Sequence, residues 1–154
     1  MKYIAHRGLF DGPDSSLENN PRQIEEAITL GYECEVDLWV DHGLKLGHDR
    51  AQYSIDESWL NDKLWIHAKN IEALMWLTST NHTFFWHEND RFTLTSNGYI
   101  WTYPGQELTP RSIMVMPEYS DHTLENIRSV KCYAICSDFI NKIKERNENS
   151  SMRR

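Results

Sequence analysis

The chain has 154 residues, of which 40% are hydrophobic and 12% aromatic. This length and composition are sufficient for one buried core and predict a single domain. Its formal net charge of -7 argues against a nucleic-acid partner, because phosphate backbones are bound chiefly by clustered lysine and arginine. A phosphate ligand would have to be bound locally, for which a divalent cation held by carboxylates is suited.

The first predicted elements are a strand, a loop and a helix. Residues 2–6 form a short, mostly apolar run that ends in charge before Gly8, as a strand does when it opens into a loop. The loop is rich in Gly, Pro, Asp and Ser and closes at Asn20, which can cap a helix, with Pro21 in the first helical turn. Gly31 is placed to end this helix.

The next segment predicts a strand with one polar and one apolar face. Residues two apart on a strand share a face, so residues 32–40 place Glu35 and Asp37 together, opposite the apolar Val36 and Leu38. We expect the apolar face to pack on the helix. After a hairpin turn at 41–43, residues 44–49 predict a short strand that brings His48 to its end.

The strand and helix order then repeats, which favours a parallel sheet. Residues 64–68 predict a strand, and Asn70 begins a helix. Further strands are predicted at 83–86, 92–95, 99–103, 113–116 and 132–136, with a hairpin turn at 96–98. Residues 123–130 and 139–146 predict helices. The predicted domain is thus 1–146, followed by a polar tail, 147–154, that we expect to be disordered.

The cysteines and the hydropathy pattern bear on the compartment. Cys34, Cys132 and Cys136 are odd in number and lack C-x-x-C spacing, so we expect reduced, buried thiols rather than disulfides or a zinc knuckle. The first residues lack the apolar stretch of a signal peptide, and no run of about 18 apolar residues offers an integral membrane segment. We therefore expect a cytoplasmic protein, with monomer and homodimer both open.

Reactive side chains occur where the predicted strands end. His6 and Arg7 follow the first strand, Glu35 and Asp37 lie on the second, and His48 follows the next segment. Parallel sheets and barrels carry functional residues at the carboxyl ends of their strands, so these side chains are expected to converge. Two carboxylates pointing the same way can share a hard cation, and two histidines beside it form a proton donor and acceptor pair.

Four sequence elements together resemble the glycerophosphodiester phosphodiesterase family. They are Ile-Ala-His-Arg-Gly at 4–8, Leu-Glu-Asn-Asn at 17–20, Glu-Val-Asp at 35–37 and Gly-His-Asp at 47–49. Their order and spacing both match over about the first third of the chain, and the coincidence of four elements is specific. The family shares a TIM-barrel superfamily with phosphatidylinositol-specific phospholipase C. The resemblance implies a phosphoric diester hydrolase of lipid metabolism with a small phosphodiester substrate.

The resemblance also implies a role for each matching residue. His6 and His48 correspond to the general acid and base, without showing which is which. Glu35 and Asp37 correspond to ligands of a divalent metal cation, Mg²⁺ or Ca²⁺, with Mn²⁺ as a further option. Arg7 corresponds to a phosphate contact.

One element departs from the family pattern. The family has a strand of the type I-E-x-K, whose glutamate ligates the metal and whose lysine contacts phosphate, and residues 66–69 are Ile-His-Ala-Lys here. Lys69 matches, whereas His67 replaces the glutamate. Imidazole can ligate a divalent metal but is softer than oxygen, which shifts preference away from Ca²⁺. A substrate contact and a packed core histidine stay open as other roles for His67.

Several residues have supporting or secondary roles in this interpretation. Glu18 and Asn19 are expected to hold the loop before the helix, with Glu18 beside the site by resemblance, and Asp49 to orient its own loop. Residues 134–138 resemble the family's closing strand of the type I-x-T-D more weakly. Glu118 and, less so, Glu88 could enter the site without matching a motif. A surface or hydrogen-bonded position is the default expectation for four further histidines, His42, His82, His87 and His122. Trp39, Trp86 and Trp101 could line a cleft, although core packing is commoner.

Length modifies the fold that the resemblance implies. A full (β/α)₈ barrel needs roughly 200–250 residues, so we expect a contracted TIM-like (β/α) barrel with fewer or shorter helices. The implied function is metal-dependent hydrolysis of a phosphodiester in a glycerophosphodiester or related lipid head-group substrate. Two alternatives stay open: a non-catalytic metal- and phosphate-binding module of the same superfamily, and a phosphodiesterase acting on a sugar-phosphate diester.

Overall fold

The structure, a computed structural model, describes residues 1–120, 127 and 130–149. In these residues ten strands, β1 to β10, occupy Lys2–Ala5, Glu33–Val40, Leu44–Leu46, Tyr53–Ile55, Leu64–Ala68, Thr83–Phe85, Phe92–Leu94, Ile100–Thr102, Ser112–Val115 and Ala134–Ser137. Three α-helices, α1 to α3, occupy Pro21–Thr29, Ile71–Thr78 and Ile140–Asn149. Most of the helix predicted at 123–130, and residues 150–154 of the predicted tail, lie outside the described residues.

The strands form one mixed sheet, and the predicted contracted TIM-like (β/α) barrel is wrong. Parallel pairing joins β6, β5, β2, β1, β10, β9 and β8 in that order. The hairpin β3–β4 adds antiparallel to β2, and β7 adds antiparallel to β8. Among the described residues only three short helices accompany the sheet, and no strand pairing closes it.

The segment after β6 explains why βα units do not continue around a barrel. A parallel crossover needs about a dozen or more residues, whereas a tight turn with Gly98 connects β7 to β8. The two sides of the sheet still approach each other. The rings of Phe85 on β6 and Trp101 on β8 stack with centroids 4.4 Å apart, and the N–H of Ser96 donates to the carbonyl of Phe84 over 2.8 Å. The sheet is therefore strongly curled but open.

The two faces of the sheet carry different residues, as the period of two predicts for β2. Cys34, Val36 and Leu38 are fully buried in the larger hydrophobic cluster, on the face that packs against α1 and α2. Burying such a side chain contributes about 1.5–3 kcal/mol. A smaller cluster covers the inside of the curl, where Trp65, Phe85, Trp101, Ile113 and Val115 are among its members. Glu35 and Asp37 belong to this inner face.

Local signals predicted most element boundaries to within one or two residues. The side chain of Asn20 accepts a hydrogen bond from the N–H of Arg22 and caps α1, and that of Asn70 accepts from the N–H of Ala73 and caps α2. Strand β1 ends one residue earlier than predicted, because His6 begins a single 3₁₀ turn, and β4 was not predicted. Helix α3 extends to Asn149, into the predicted tail.

All three cysteines are free, as expected, and two of them are fully buried. Cys34 and Cys136 lie within the sheet, whereas Cys132 is half-buried. No helix in the described part of the chain is long and apolar enough to cross a membrane.

Candidate functional site

A cavity of about 650 Å³ lies where the parallel strands end. Eight of the ten residues predicted for the site line it, namely His6, Arg7, Glu18, Glu35, Asp37, His48, His67 and Lys69. These residues come from β2, from β5 and its end, and from the segments after β1 and β3, so the convergence expected from the strand order is present. Asn19 and Asp49 lie outside the lining.

A strained turn after β1 places His6 and Arg7 at the cavity. Arg7 has a φ of 52°, in the left-handed region, where a non-glycine residue costs about 1–3 kcal/mol. Gly8 follows with a φ of 80°, and a Cβ there would lie 2.7 Å from a side-chain atom of α1. Two hydrogen bonds hold the turn: the Arg7 N–H donates to Oε2 of Glu35 over 3.0 Å, and its carbonyl accepts from the N–H of Asn19 over 2.9 Å. The turn is thus tied to a site carboxylate.

Asn19 fixes the second carboxylate from behind the cavity. It is fully buried, and its amide group donates to Oδ2 of Asp37 over 2.8 Å while its Oδ1 accepts from the Asp37 N–H over 2.8 Å. Its neighbour Glu18 accepts a hydrogen bond from Nη1 of Arg7 over 3.1 Å. The Leu-Glu-Asn-Asn element therefore positions one carboxylate and one guanidinium group.

Glu35, Asp37 and His67 each offer a ligand atom, and these atoms lie within 4.8 Å of one another. Asp37 is fully buried, and its Oδ1 has no hydrogen-bond partner among the described residues. Nδ1 of His67 lies 3.0 Å from Asp37 Oδ1, and Nζ of Lys69 lies 3.4 Å from it. Neither nitrogen is oriented toward the oxygen in the geometry of a hydrogen bond. A buried carboxylate oxygen that accepts no well-directed hydrogen bond is costly, and a cation beside it, such as the Lys69 ammonium group or a bound metal ion, offsets that cost.

The hydrogen bond on the far side of His67 indicates which ring nitrogen faces the carboxylates. Nε2 lies 3.0 Å from the carbonyl oxygen of His87, which can only accept, so Nε2 carries the hydrogen. In the neutral ring Nδ1 then presents a lone pair toward Asp37 Oδ1. Two facing acceptors repel each other unless a cation or a proton lies between them. The two carboxylates and this tautomer together fit a divalent metal.

The two carboxylates have opposite pKa shifts. Burial raises the pKa of Glu35, and the neighbouring charge of Asp37 raises it further. Burial also opposes ionisation of Asp37, but His67, Lys69 and Arg7 outweigh it and hold the Asp37 pKa well below its usual range. In the metal-free protein Glu35 is therefore the carboxyl group that binds a proton more readily.

His6 is oriented by Asp138, which follows β10 and also lines the cavity. Its Nδ1 donates to Oδ1 of Asp138 over 2.7 Å, so Nε2 is the nitrogen left to exchange a proton, 3.9 Å from Oε2 of Glu35. Burial lowers the His6 pKa, but the hydrogen bond to Asp138 and the charge of Glu35 outweigh it, so the pKa is raised. Asp138 was not among the predicted site residues. The signal that could have found it is the weak resemblance of residues 134–138 to the family's closing strand, in which Asp138 matches the aspartate.

His48 lies on the more open side of the cavity, with 36% of its side chain exposed. Its Nδ1 is 2.7 Å from Oδ1 of Asp49, so Asp49 orients His48 from solvent. The preceding Gly47 donates its N–H to the Asp37 carbonyl over 3.1 Å and accepts from Nε1 of Trp39 over 2.6 Å. A Cβ at Gly47 would lie 2.0 Å from a backbone oxygen, so this tight turn requires glycine.

The remaining wall is largely aromatic and comes from strand β8 and from the loops after β6, β8 and β9. Trp86, His87, Trp101, Tyr103 and Tyr119 line it, together with Glu88. His87, for which the default was a surface or hydrogen-bonded position, lines the cavity, and so does Glu88, which was ranked below Glu118. Both follow strand β6, which ends at the cavity. Glu118 does not line the cavity and instead accepts a hydrogen bond from Oγ of Ser137 over 2.8 Å.

Comparisons of the chain with models of protein families, with curated proteins and with solved structures found no match. Function therefore has to be argued from the chemistry of the cavity and from the four motifs that meet in it.

Proposed function

We propose that this protein is a phosphoric diester hydrolase that uses a divalent metal cation to cleave a small phosphodiester of the glycerol or lipid head-group type. The observation that carries the proposal is the buried Oδ1 of Asp37, which accepts no hydrogen bond among the described residues and lies 3.0 Å from Nδ1 of His67. The likeness of the motifs at 4–8, 17–20, 35–37 and 47–49 to glycerophosphodiester phosphodiesterases supports the substrate class.

The metal would be held by Glu35, Asp37 and His67. Each carboxylate has one oxygen engaged from behind, Oε2 of Glu35 by the Arg7 N–H and Oδ2 of Asp37 by Asn19, which leaves one oxygen of each for the cation. When bound, a divalent cation supplies Lewis-acid stabilisation of negative charge on phosphoryl oxygens. The protein itself keeps the two carboxylates away from bulk solvent, because their exposed fractions are 3% for Glu35 and 0% for Asp37.

Arg7 and Lys69 bind the phosphate in this proposal. Both side chains line the cavity, and each lies 3.4 Å from an oxygen of Asp37. Nε of Arg7 is buried beside Oδ2 of Asp37, and Nη1 donates to Glu18, so the guanidinium group is held in place at the cavity. Guanidinium and ammonium groups held in place stabilise charge that develops on the phosphoryl oxygens as the bond to the leaving group breaks.

His6 and His48 perform the proton transfers. Each ring is held through Nδ1 by a carboxylate, Asp138 for His6 and Asp49 for His48, which leaves Nε2 to exchange a proton in the cavity. One histidine takes the proton from the attacking hydroxyl, and the other gives a proton to the leaving alkoxide. The attacking hydroxyl belongs to water or, as the resemblance implies, to the substrate itself next to the phosphate.

The test is turnover of glycerophosphocholine and bis(p-nitrophenyl) phosphate with Mg²⁺, Mn²⁺ or Ca²⁺. His6→Ala and Glu35→Ala should each abolish metal-dependent turnover, whereas His42→Ala, at a side chain that is 95% exposed, should leave it unchanged. Metal binding without turnover of any diester would instead support a non-catalytic binding module, and turnover of sugar-phosphate diesters alone would change the substrate class. Absence of both metal binding and turnover would refute the proposal.

A further inference from the structure

His67 is the nitrogen donor in an otherwise carboxylate site, and its ring is held in place from two sides. Its Nε2 donates to the His87 carbonyl over 3.0 Å, and the ring stacks on Phe85 with centroids 5.1 Å apart and an interplanar angle of 11°. Only 12% of its side chain is exposed. Rotating the ring so that its nitrogen leaves the site would break both contacts.

The carboxylates offer few oxygens to a cation. Oε2 of Glu35 accepts a hydrogen bond from the Arg7 N–H, and Oδ2 of Asp37 accepts one from Asn19, so each carboxylate has one oxygen partly engaged and binding through both oxygens is disfavoured. The protein therefore supplies two carboxylate oxygens and the Nδ1 of His67. Ca²⁺ takes 6–8 oxygen ligands, often with bidentate carboxylates, and this donor set serves it poorly.

We infer that His67 makes this a site for a first-row transition-metal dication, bound through Nδ1, in preference to Ca²⁺ and Mg²⁺. The inference rests on the proposed metal-dependent function and specifies which cation serves it. Imidazole is a common ligand of first-row transition metals, whereas Mg²⁺ and Ca²⁺ prefer oxygen and gain little from a nitrogen donor. The hydrogen bond from Nε2 to the His87 carbonyl orients the ring as outer-shell partners of metal-bound histidines do.

Mn²⁺ is a suitable probe because it is paramagnetic and tolerates both oxygen and nitrogen ligands. The full chain is titrated with Mn²⁺, Mg²⁺ and Ca²⁺ separately, and binding is followed by isothermal titration and by the shift in unfolding temperature. In addition, the electron spin-echo modulation of bound Mn²⁺ reports a directly bonded imidazole nitrogen. This signal is independent of turnover and would not arise from a histidine that merely packs nearby.

We expect wild-type protein to bind Mn²⁺ more tightly than Ca²⁺ and Mg²⁺ and to show nitrogen modulation from one imidazole. His67→Glu restores an all-carboxylate set and should lower the ratio of Mn²⁺ to Ca²⁺ affinity by about tenfold or more, a change typical of altered metal surroundings. His67→Gln should lose the nitrogen signal, while the exposed His42→Gln should keep both the signal and the ratio.

The results separate this inference from the function on which it rests. Mn²⁺ binding without imidazole modulation, or an unchanged affinity ratio in His67→Glu, would overturn the inference while leaving a carboxylate metal site in place. Failure of all three cations to bind would overturn both. The spin-echo measurement on wild-type protein decides the question even if a His67 variant does not fold.

Discussion

Replacing Glu35 by glutamine should stabilise the metal-free protein and remove its stabilisation by metal. Glu35 is almost fully buried, with an exposed fraction of 3%, and its pKa is raised by burial and by Asp37. Glutamine has nearly the same shape, and its oxygen can still accept the hydrogen bond that the Arg7 N–H gives to Glu35. The substitution therefore removes mainly the charge.

The magnitude follows from the spacing of the charges. Two like charges at 4.8 Å, the largest separation of the ligand atoms, repel by about 3.5 kcal/mol at an effective dielectric constant of about 20. Attraction of Glu35 to His6, Arg7 and His67 offsets part of this repulsion. We expect a net gain on the order of 1 kcal/mol, or roughly 2–4 °C in unfolding temperature for a domain of this size.

The pH dependence has a definite sign. The folded protein binds a proton on Glu35 at pH values where the unfolded chain, with its usual pKa near 4.5, has already lost it. The contribution of Glu35 to the free energy of unfolding of the metal-free wild type therefore falls as pH rises from about 4.5 through its raised pKa. The glutamine variant lacks this decline, so its advantage grows over the same pH interval.

Differential scanning calorimetry tests this with chelator present and with metal present. Metal at 100 times its dissociation constant should stabilise the wild type by about 2.7 kcal/mol, whereas the glutamine variant should show little of this gain. An unchanged metal-dependent shift in the variant would refute the assignment of Glu35 as a ligand. A metal-free variant less stable than wild type at neutral pH would refute the electrostatic reasoning.

Three further predictions concern the residues that build the site. Gly8→Ala should destabilise the protein by about 2 kcal/mol or more in chemical denaturation, because a Cβ would lie 2.7 Å from a side-chain atom of α1. Gly31→Ala should cost less, since a Cβ at Gly31 would have no atom within 4 Å, and equal costs would contradict the packing argument. Asn19→Ala should cost about 1–3 kcal/mol by the same measurement and weaken metal binding in calorimetric titration, since it leaves a buried carboxylate without its donor. Asp138→Asn should lower the pKa of His6 in an NMR titration of the metal-free protein, because the carboxylate that stabilises the imidazolium is lost; an unchanged pKa would show that Asp138 does not hold His6 in its charged form.

The sequence determined those features that depend on neighbours along the chain. The period of two on β2 separates Glu35 and Asp37 from the apolar face that packs on the helices, because alternate side chains of a strand point to opposite sides. Asn20 and Asn70 cap their helices because their side chains reach backbone N–H groups two or three residues ahead. The motif residues after β1 and on β2 therefore converge at one end of the sheet, since parallel strands deliver them there, whereas His48 arrives through the antiparallel strand β3 and the Gly47 turn.

Only the tertiary structure decided how the sheet ends and which distant groups complete the site. The hairpin of β7 and β8 was predicted from its turn at 96–98, but three-residue strands do not show in their local pattern that β6 pairs with β5 and β8 with β9. Because β6 and β8 do not pair with each other, the sheet is open and curled instead of a closed barrel. Asp138 is 132 residues from His6, and His87 is 20 residues from His67. The hydrogen bonds that select the tautomers of these histidines depend on strand register, which brings residues distant in sequence within about 3 Å of each other.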